Sequence, residues 1–331
     1  MSKIKNKNKL KLRTSSKIFL FILIIACFSL YLYKNDLKKI DISNIEFINP
    51  IKIQRQRKKI YNDCLKKPLD ESSFSEQTIN KKDEILKYVK NNGLKYTFED
   101  LTYNYQINYN ENDQVYGASL IKLVTAIYLI DNDVDLNQTM KYTSNFVSGS
   151  SEGMKQRKIG ENVSLQDLMK YSITVSDNTS HHMLVSYIGK NKLKDYANGL
   201  GATAIFSGIS DDYGNQNTHD TNIYLKKAYE LINGKENGNL LKEYMLNTKK
   251  NNLSVENIVT IGHKYGSYNA YFHDIGINFD EHPYTISVLT LKGDPAGGSY
   301  INHVSKLTKE FVDDYYNNQQ EYCKELSQKK D

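Results

Sequence analysis

The sequence predicts an α/β fold in which one sheet is completed by segments far apart in the chain, flanked by helices and interrupted by a helical insertion. Three observations lead there. Alternation of apolar and polar residues, the mark of strands, occurs from Tyr96 to Asn110 and again from Ile258 to Leu291. Between these segments the hydrophobic spacing is helical. The stretch LIKLVTAIYLI that follows Ser119 is apolar on nearly every side apart from Lys122, as expected of a helix buried in the middle of a domain.

Taken in order, residues 1–17 form a basic tail with Lys3, Lys5, Lys7, Lys9, Lys11, Arg13 and Lys17, and residues 18–33, Ile18 to Tyr33, form an apolar run. At about 1.5 Å per residue the run reaches roughly 24 Å against a hydrocarbon core of about 30 Å, so a span relies on Lys17 and Lys34 snorkelling outward. Cations before the run and a large segment after it give a single-pass signal anchor in the cell membrane, with a cytoplasmic N-terminus and an extracellular domain. Two alternatives stay open. Ile24-Ile25-Ala26-Cys27 resembles a lipobox, which would make Cys27 a lipidation site, and a cleaved secretory signal has the same general pattern. All three readings export the remainder. Residues 34–74 are polar, punctuated by Pro50 and Pro68, and read as a stalk or partly helical tether.

The folded domain is expected over residues 75–326. A helix runs from about Glu76 to Asn91 and stops at Gly93, a C-terminal cap. Two short strands around a polar turn occupy Tyr96 to Asn110. After the buried helix beginning at Ser119, a second starts at Ser164, where Ser164 and Asp167 make a capping arrangement and Leu165, Leu168 and Met169 share one face. A third runs from about Thr179 to Ile188, stopped by Gly189. Strands follow at Ile258 to Lys264, Tyr271 to Phe279 and Tyr284 to Leu291, the last two joined by a turn at Asp280 to Pro283. A helix from about Ser299 to Leu326 closes the domain.

The net charge is +6, and the seven cations of the leading tail account for all of that excess. The body is balanced and offers no basic surface for nucleic acid. No zinc-type spacing of Cys and His occurs, and His181 and His182 are adjacent rather than four apart, as helix-face neighbours. No metal, no cofactor and a monomer are expected. Cys64 and Cys323 flank the domain, and either pair if the chain ends meet or remain two free thiols.

Three short strings stand in one order along the domain: Ser119-Leu120-Ile121-Lys122, Ser176-Asp177-Asn178 and Lys264-Tyr265-Gly266. None is specific alone, since S-x-x-K also occurs at Ser2 to Lys5 and at Ser327 to Lys330; order and context carry the weight. Three residues apart on a helix, Ser119 and Lys122 share a face. A serine hydroxyl is a weak nucleophile unless a neighbour takes its proton, and a lysine held neutral by burial and nearby cations does so. The plainer reading has Ser119 capping the helix and Lys122 snorkelling. Ser176 offers a second hydroxyl to pass a proton to a leaving amine, Asn178 an amide to hold a substrate carbonyl, and Lys264 positive charge for a substrate carboxylate. Asp177 is expected to hold the loop. Main-chain N–H groups of Ser119 and Ser267 would form the oxyanion hole.

Together with the runs IGENVSLQDLMKYSITVSDNTSHHML and HKYGSYNAYFHDIGINF, these motifs make Glu76 to Leu326 resemble the class A β-lactamase and penicillin-binding serine hydrolase family. The resemblance implies an α/β sandwich with an antiparallel sheet flanked by helices, plus an all-helical subdomain carrying Ser176. It also implies the roles given for Ser119, Lys122, Ser176, Asn178 and Lys264, with Tyr265, Gly266 and Ser267 lining the substrate. The expected function is a membrane-anchored extracellular serine acyl hydrolase, acylated at Ser119 by β-lactams or D-Ala-D-Ala-type cell-wall peptides. The alternative is a non-catalytic domain of the same fold that binds the cell wall or a partner. Two departures matter. Tyr265 stands where the family has Thr or Ser, leaving Ser267 as the substitute hydroxyl. The glutamate that activates deacylating water in true β-lactamases has no counterpart, because Gly201 to Thr221 contains no Glu. The nearest candidate base is Asp211, with Asn215 four residues on; the plainer reading makes Asp211 and Asp212 ordinary acids of a Gly-rich surface loop. Lacking that base, the acyl-enzyme would turn over slowly.

Overall fold

The computed structural model describes residues 21–26, 50–205, 213–255 and 260–329. The basic tail, Cys27, Asp211 and Asp212 lie outside the described residues, as does most of the apolar run, of which 21–26 is helical. Among the described residues no helix is long and apolar enough to cross a membrane. Within the polar stretch 34–74, helix α1 spans Pro50–Cys64, and a compact unit begins at Arg57.

Helix α2 (Glu76–Asn91) starts where Ser75 Oγ accepts the Thr78 N–H, and Gly93 turns the chain out of it at φ +63, a left-handed value that glycine adopts without penalty. Then come β1 (Lys95–Asp100), β2 (Gln106–Tyr109) and β3 (Val115–Tyr116), followed by the buried helix α3 (Ile121–Asp131). The small strands β4 (Thr139–Lys141) and β5 (Asn162–Ser164) lead to α4 (Leu165–Thr174), α5 (Asn178–Ile188) and α6 (Lys190–Leu200). As expected, Ser164 Oγ caps α4 by accepting the Asp167 N–H. The chain continues through β6 (Asn215–Gln216), α7 (Thr218–Gly234) and α8 (Gly238–Leu246) to β7 (Ile261–Tyr268), β8 (Tyr271–Asn278), β9 (Tyr284–Thr290) and the long helix α9 (Ala296–Gln328).

The main sheet has the order β2-β1-β9-β8-β7, and each neighbouring pair is antiparallel. The early hairpin β1–β2 thus completes a sheet whose other strands come from the far end of the chain. One face carries Tyr96, Phe98, Ile286 and Val288, packed with Ile85 and Val89 of α2 and Phe311 and Tyr315 of α9. Burial of each such side chain stabilises by roughly 1.5–3 kcal/mol. Ile275, Ile277 and Leu289 join the second cluster, built around α3 with the helical subdomain. Helix α3 is apolar all round because it lies at the centre of that cluster: nine of its residues from Ile121 to Ile130 are buried, Lys122 among them.

Strand β7 differs from the sequence expectation. It runs on through the Lys264-Tyr265-Gly266 motif to Tyr268, because Tyr268 pairs with Tyr271 across a two-residue turn in which Asn269 takes φ +48. The motif therefore lies inside an edge strand. Cys64 and Cys323 form a disulfide with Cα atoms 5.6 Å apart, which joins α1 to α9.

Candidate active site

Ser119 sits on a single 3-10 turn, Ala118–Leu120, that feeds into α3, rather than on the α-helix itself. Ala118 takes φ +45, a left-handed conformation costing roughly 1–2 kcal/mol for a residue with a Cβ. The turn is held from two sides. His273, fully buried, donates from Nε2 to the Tyr116 carbonyl at 2.9 Å and accepts the Thr290 N–H on Nδ1 at 3.1 Å. A carbonyl must accept and an N–H must donate, so the ring is neutral; burial holds its pKa down to about 4. From the other side β7 comes so close that a Cβ on Gly266 would lie 2.7 Å from Gly117 O and 3.4 Å from the Ser119 nitrogen. Only glycine allows that approach.

Lys122 Nζ lies 2.9 Å from Ser119 Oγ. It also lies 2.6 Å from the Ser176 carbonyl and 2.6 Å from Asn178 Oδ1, with Ser176 Oγ at 3.2 Å. Burial, and next the charge of Lys264, push the Lys122 pKa well below the ordinary lysine value, against an opposing pull from Asp177. A neutral amine has two N–H donors and one lone pair. In that neutral form the two obligate acceptors at 2.6 Å would take the donors and leave the lone pair for the Ser119 hydroxyl.

The loop between α4 and α5 brings Ser176 in at φ +55. Asp177 fixes this loop: its Oδ1 accepts the Ser180 N–H at 2.8 Å, capping α5, and its Oδ2 accepts the Met154 N–H at 3.0 Å. The carboxylate is fully buried and spends both oxygens on structure, as expected from the sequence. Asn178, the first residue of α5, turns its side chain to Lys122.

Lys264 is fully buried and turned inward. Its Nζ donates to Ser176 Oγ at 2.9 Å and to the Tyr265 carbonyl at 2.6 Å, while the Tyr265 ring lies over it with the centroid 4.3 Å away. Burial lowers its pKa to about 7, partly offset by Asp274. Oγ and Nζ atoms of Ser119, Lys122, Ser176 and Lys264 thus form one connected polar chain. Gly266 and Ser267 follow along β7, Ser267 being exposed.

A model of the beta-lactamase enzyme family matches residues 79–312 of this chain. The chain belongs to that family. No curated protein matches this β-lactamase family member by sequence at a significant level. Among solved structures it is similar to the TLA-1 extended-spectrum β-lactamase, at 18% identity over 72% of this chain and 99% of that one, with a TM-score of 0.63. The β-lactamase from Chitinophaga pinensis gives 17% identity, 70% and 98% coverage and a TM-score of 0.62. A PBP-A variant, solved as an acyl-enzyme complex with penicillin G, gives 16% identity, 70% and 96% coverage and 0.62. Identities this low speak for the fold alone.

This family member also holds residues that sequence reasoning passed over. Tyr213 places its ring centroid 5.7 Å from Lys122 Nζ, with His182 Nε2 3.3 Å from its hydroxyl. Nothing marks this tyrosine among 26 in the chain. Buried His263 pairs with Asp274 at 2.7 Å, and His273 braces the nucleophile turn. Histidines within a strand pattern, directly beside a buried lysine motif, are the available signal.

Proposed function

We propose that this protein is a serine acyl hydrolase, acylated at Ser119 by β-lactams or by D-Ala-D-Ala-type cell-wall peptides, and that it releases the acyl group slowly. The observation that carries this reading is the Lys122 amine held 2.9 Å from Ser119 Oγ in a buried site that lowers its pKa, so that in its neutral form it takes the hydroxyl proton. In the acylation step Ser119 Oγ attacks the carbonyl carbon as its proton passes to Lys122. The C–N bond then breaks while Ser176 Oγ protonates the departing nitrogen. Ser176 is restored by the proton on Lys122, 3.2 Å away, so the lysine ends neutral as it began. Main-chain N–H groups of Ser119 and Ser267 are assigned to the oxyanion, a contribution of about 10²–10³ in rate per donor.

Similarity to a PBP-A variant captured with penicillin G supports β-lactams as substrates. Slow release is supported by the absence of Glu from Gly201 to Thr221. Action outside the cell, on a membrane anchor, is supported by the basic tail with its apolar run and by the Cys64–Cys323 disulfide, a bond that persists in oxidising compartments. The test is covalent labelling. A fluorescent penicillin is expected to label the wild-type protein at Ser119 and to leave Ser119→Ala unlabelled. Labelling that survives in Ser119→Ala would overturn the assignment.

A further inference from the structure

Transfer of the Ser119 proton turns Lys122 into an ammonium ion, and the site must carry that charge until Ser176 receives the proton. Its hydrogen-bond partners offer no countercharge. Ser119 Oγ, the Ser176 carbonyl, Ser176 Oγ and Asn178 Oδ1 are all neutral groups. Lys264 adds a second cation that works against the charge, while Asp177 pulls the other way. The Asp177 oxygens, however, accept the Ser180 and Met154 N–H groups rather than the amine.

An aromatic face meets the same amine. The half-buried Tyr213 ring lies with its centroid 5.7 Å from Lys122 Nζ, which stands over it; the ring face is the negative pole of the π quadrupole and attracts a cation within about 6 Å. The ring is placed by three contacts. His182 Nε2 lies 3.3 Å from its hydroxyl, and the fully buried His181 ring packs with its centroid 5.2 Å away. The backbone just after Tyr213 is tied to the nucleophile turn: the Gly214 carbonyl accepts the Gly117 N–H at 3.0 Å, and β6 pairs with β3 through Asn215 with Tyr116 and Gln216 with Val115. The strand that leads the chain into Ser119 therefore also sets the ring beside Lys122.

We propose that the face of the Tyr213 ring stabilises the ammonium form of Lys122 while Ser119 is being acylated. This rests on the acyl-hydrolase reading above and deepens it by naming a group, outside the three motifs, that helps the site bear the transferred proton. Tyr213 is a positioning residue, acting through the lysine. In the step itself the Ser119 O–H bond breaks and an N–H bond forms on Lys122; the ring exchanges no proton.

A ring that favours the ammonium has two effects. It speeds proton transfer to the neutral lysine, and it raises the pH at which the lysine becomes neutral. On the acid side of the inflection the two oppose each other, and above it only the first remains. The other groups facing Lys122 are Asp177 in the loop before α5, Lys264 on β7, whose own pKa burial lowers to about 7, and the Ser119 and Ser176 hydroxyls. His182 on α5 faces the Tyr213 hydroxyl instead.

The experiment follows acylation of the full chain by a fluorescent penicillin as a function of pH. It compares the wild type with Tyr213→Phe, Tyr213→Leu and a chain carrying a ring-fluorinated phenylalanine at position 213, which keeps the ring's shape and drains its face. In Tyr213→Leu and the fluorinated chain the plateau should fall about 2- to 10-fold and the inflection should move to lower pH by up to about one unit. Their acid limbs should be no slower than that of the wild type. Tyr213→Phe, which keeps the quadrupole, should show smaller changes than either. Loss by one common factor at every pH in both chains, or a fluorinated chain that matches Tyr213→Phe throughout, would overturn the proposal while Ser119 acylation stands. Should Tyr213→Leu fail to fold, the comparison of the fluorinated chain with Tyr213→Phe decides alone. Failure of the wild type to be acylated at any pH would take down the parent reading and this one with it.

Discussion

Lys122→Met tests the central chemical claim, because methionine fills much of the lysine's volume and supplies no proton acceptor. Loss of a general base costs about 10²–10⁴ in rate, or roughly 2.7–5.5 kcal/mol of barrier at about 1.36 kcal/mol per decade. The change in stability is the balance of two opposing contributions. Two buried acceptors, the Ser176 carbonyl and Asn178 Oδ1, lose their donor at about 1–3 kcal/mol each. Against that, the fold no longer has to strip water from an amine. The sign of the second contribution is readable from pH. Lys122 in the folded state has a depressed pKa, so between that value and its unfolded value near 10.5 the unfolded chain binds the extra proton and wild-type stability rises with pH. The variant lacks this dependence, so its stability relative to wild type should be highest at the acid end of the window and decline towards pH ~10.5. Stopped-flow acylation with a fluorescent penicillin, alongside urea unfolding at several pH values, measures both. Acylation of Lys122→Met within about tenfold of wild type would show that the lysine is not the base.

Three further outcomes are expected. With a chromogenic cephalosporin, about one equivalent of product per enzyme should appear in a burst, followed by a turnover slower by the 10²–10⁴ that a missing base for water implies; steady turnover without a burst would contradict this. Gly266→Ala should slow acylation strongly while changing stability less, because its Cβ would lie 2.7 Å from Gly117 O and 3.4 Å from the Ser119 nitrogen and must push β7 off the nucleophile turn; kinetics equal to wild type would show the approach to be dispensable. Cys323→Ser should lower unfolding stability by about 2–5 kcal/mol in an oxidising buffer and not under reduction, with acylation at low temperature retained.

Where local pattern and tertiary need coincide, the chain can be read directly. Ser164 and Asp167 announce the start of α4, Gly93 and Gly189 close their helices, and the alternation from Tyr284 to Leu291 matches β9. The four side chains that meet at the site are nameable because their motif order is unusual, even though each motif is common. What stays hidden depends on packing across the fold. Lys264 is legible as a member of the site, but no local signal tells that the Tyr265 ring lies over its amine. The sequence expectation ends β7 at Lys264, whereas the reversal falls at Asn269 and Ala270. The disulfide is one of two open readings until the helices carrying Cys64 and Cys323 meet.

That disulfide has a consequence in time as well as in space. Cys64 precedes every residue of the site and Cys323 follows them all, with a sequence separation of 259 between the two. The bond therefore cannot close until the last strand and most of α9 have been synthesised. Closure then converts the catalytic unit into a single covalent ring. A protease that later cuts one surface loop opens the ring without releasing a fragment, and the nicked molecule migrates as one species until a reductant parts it in two.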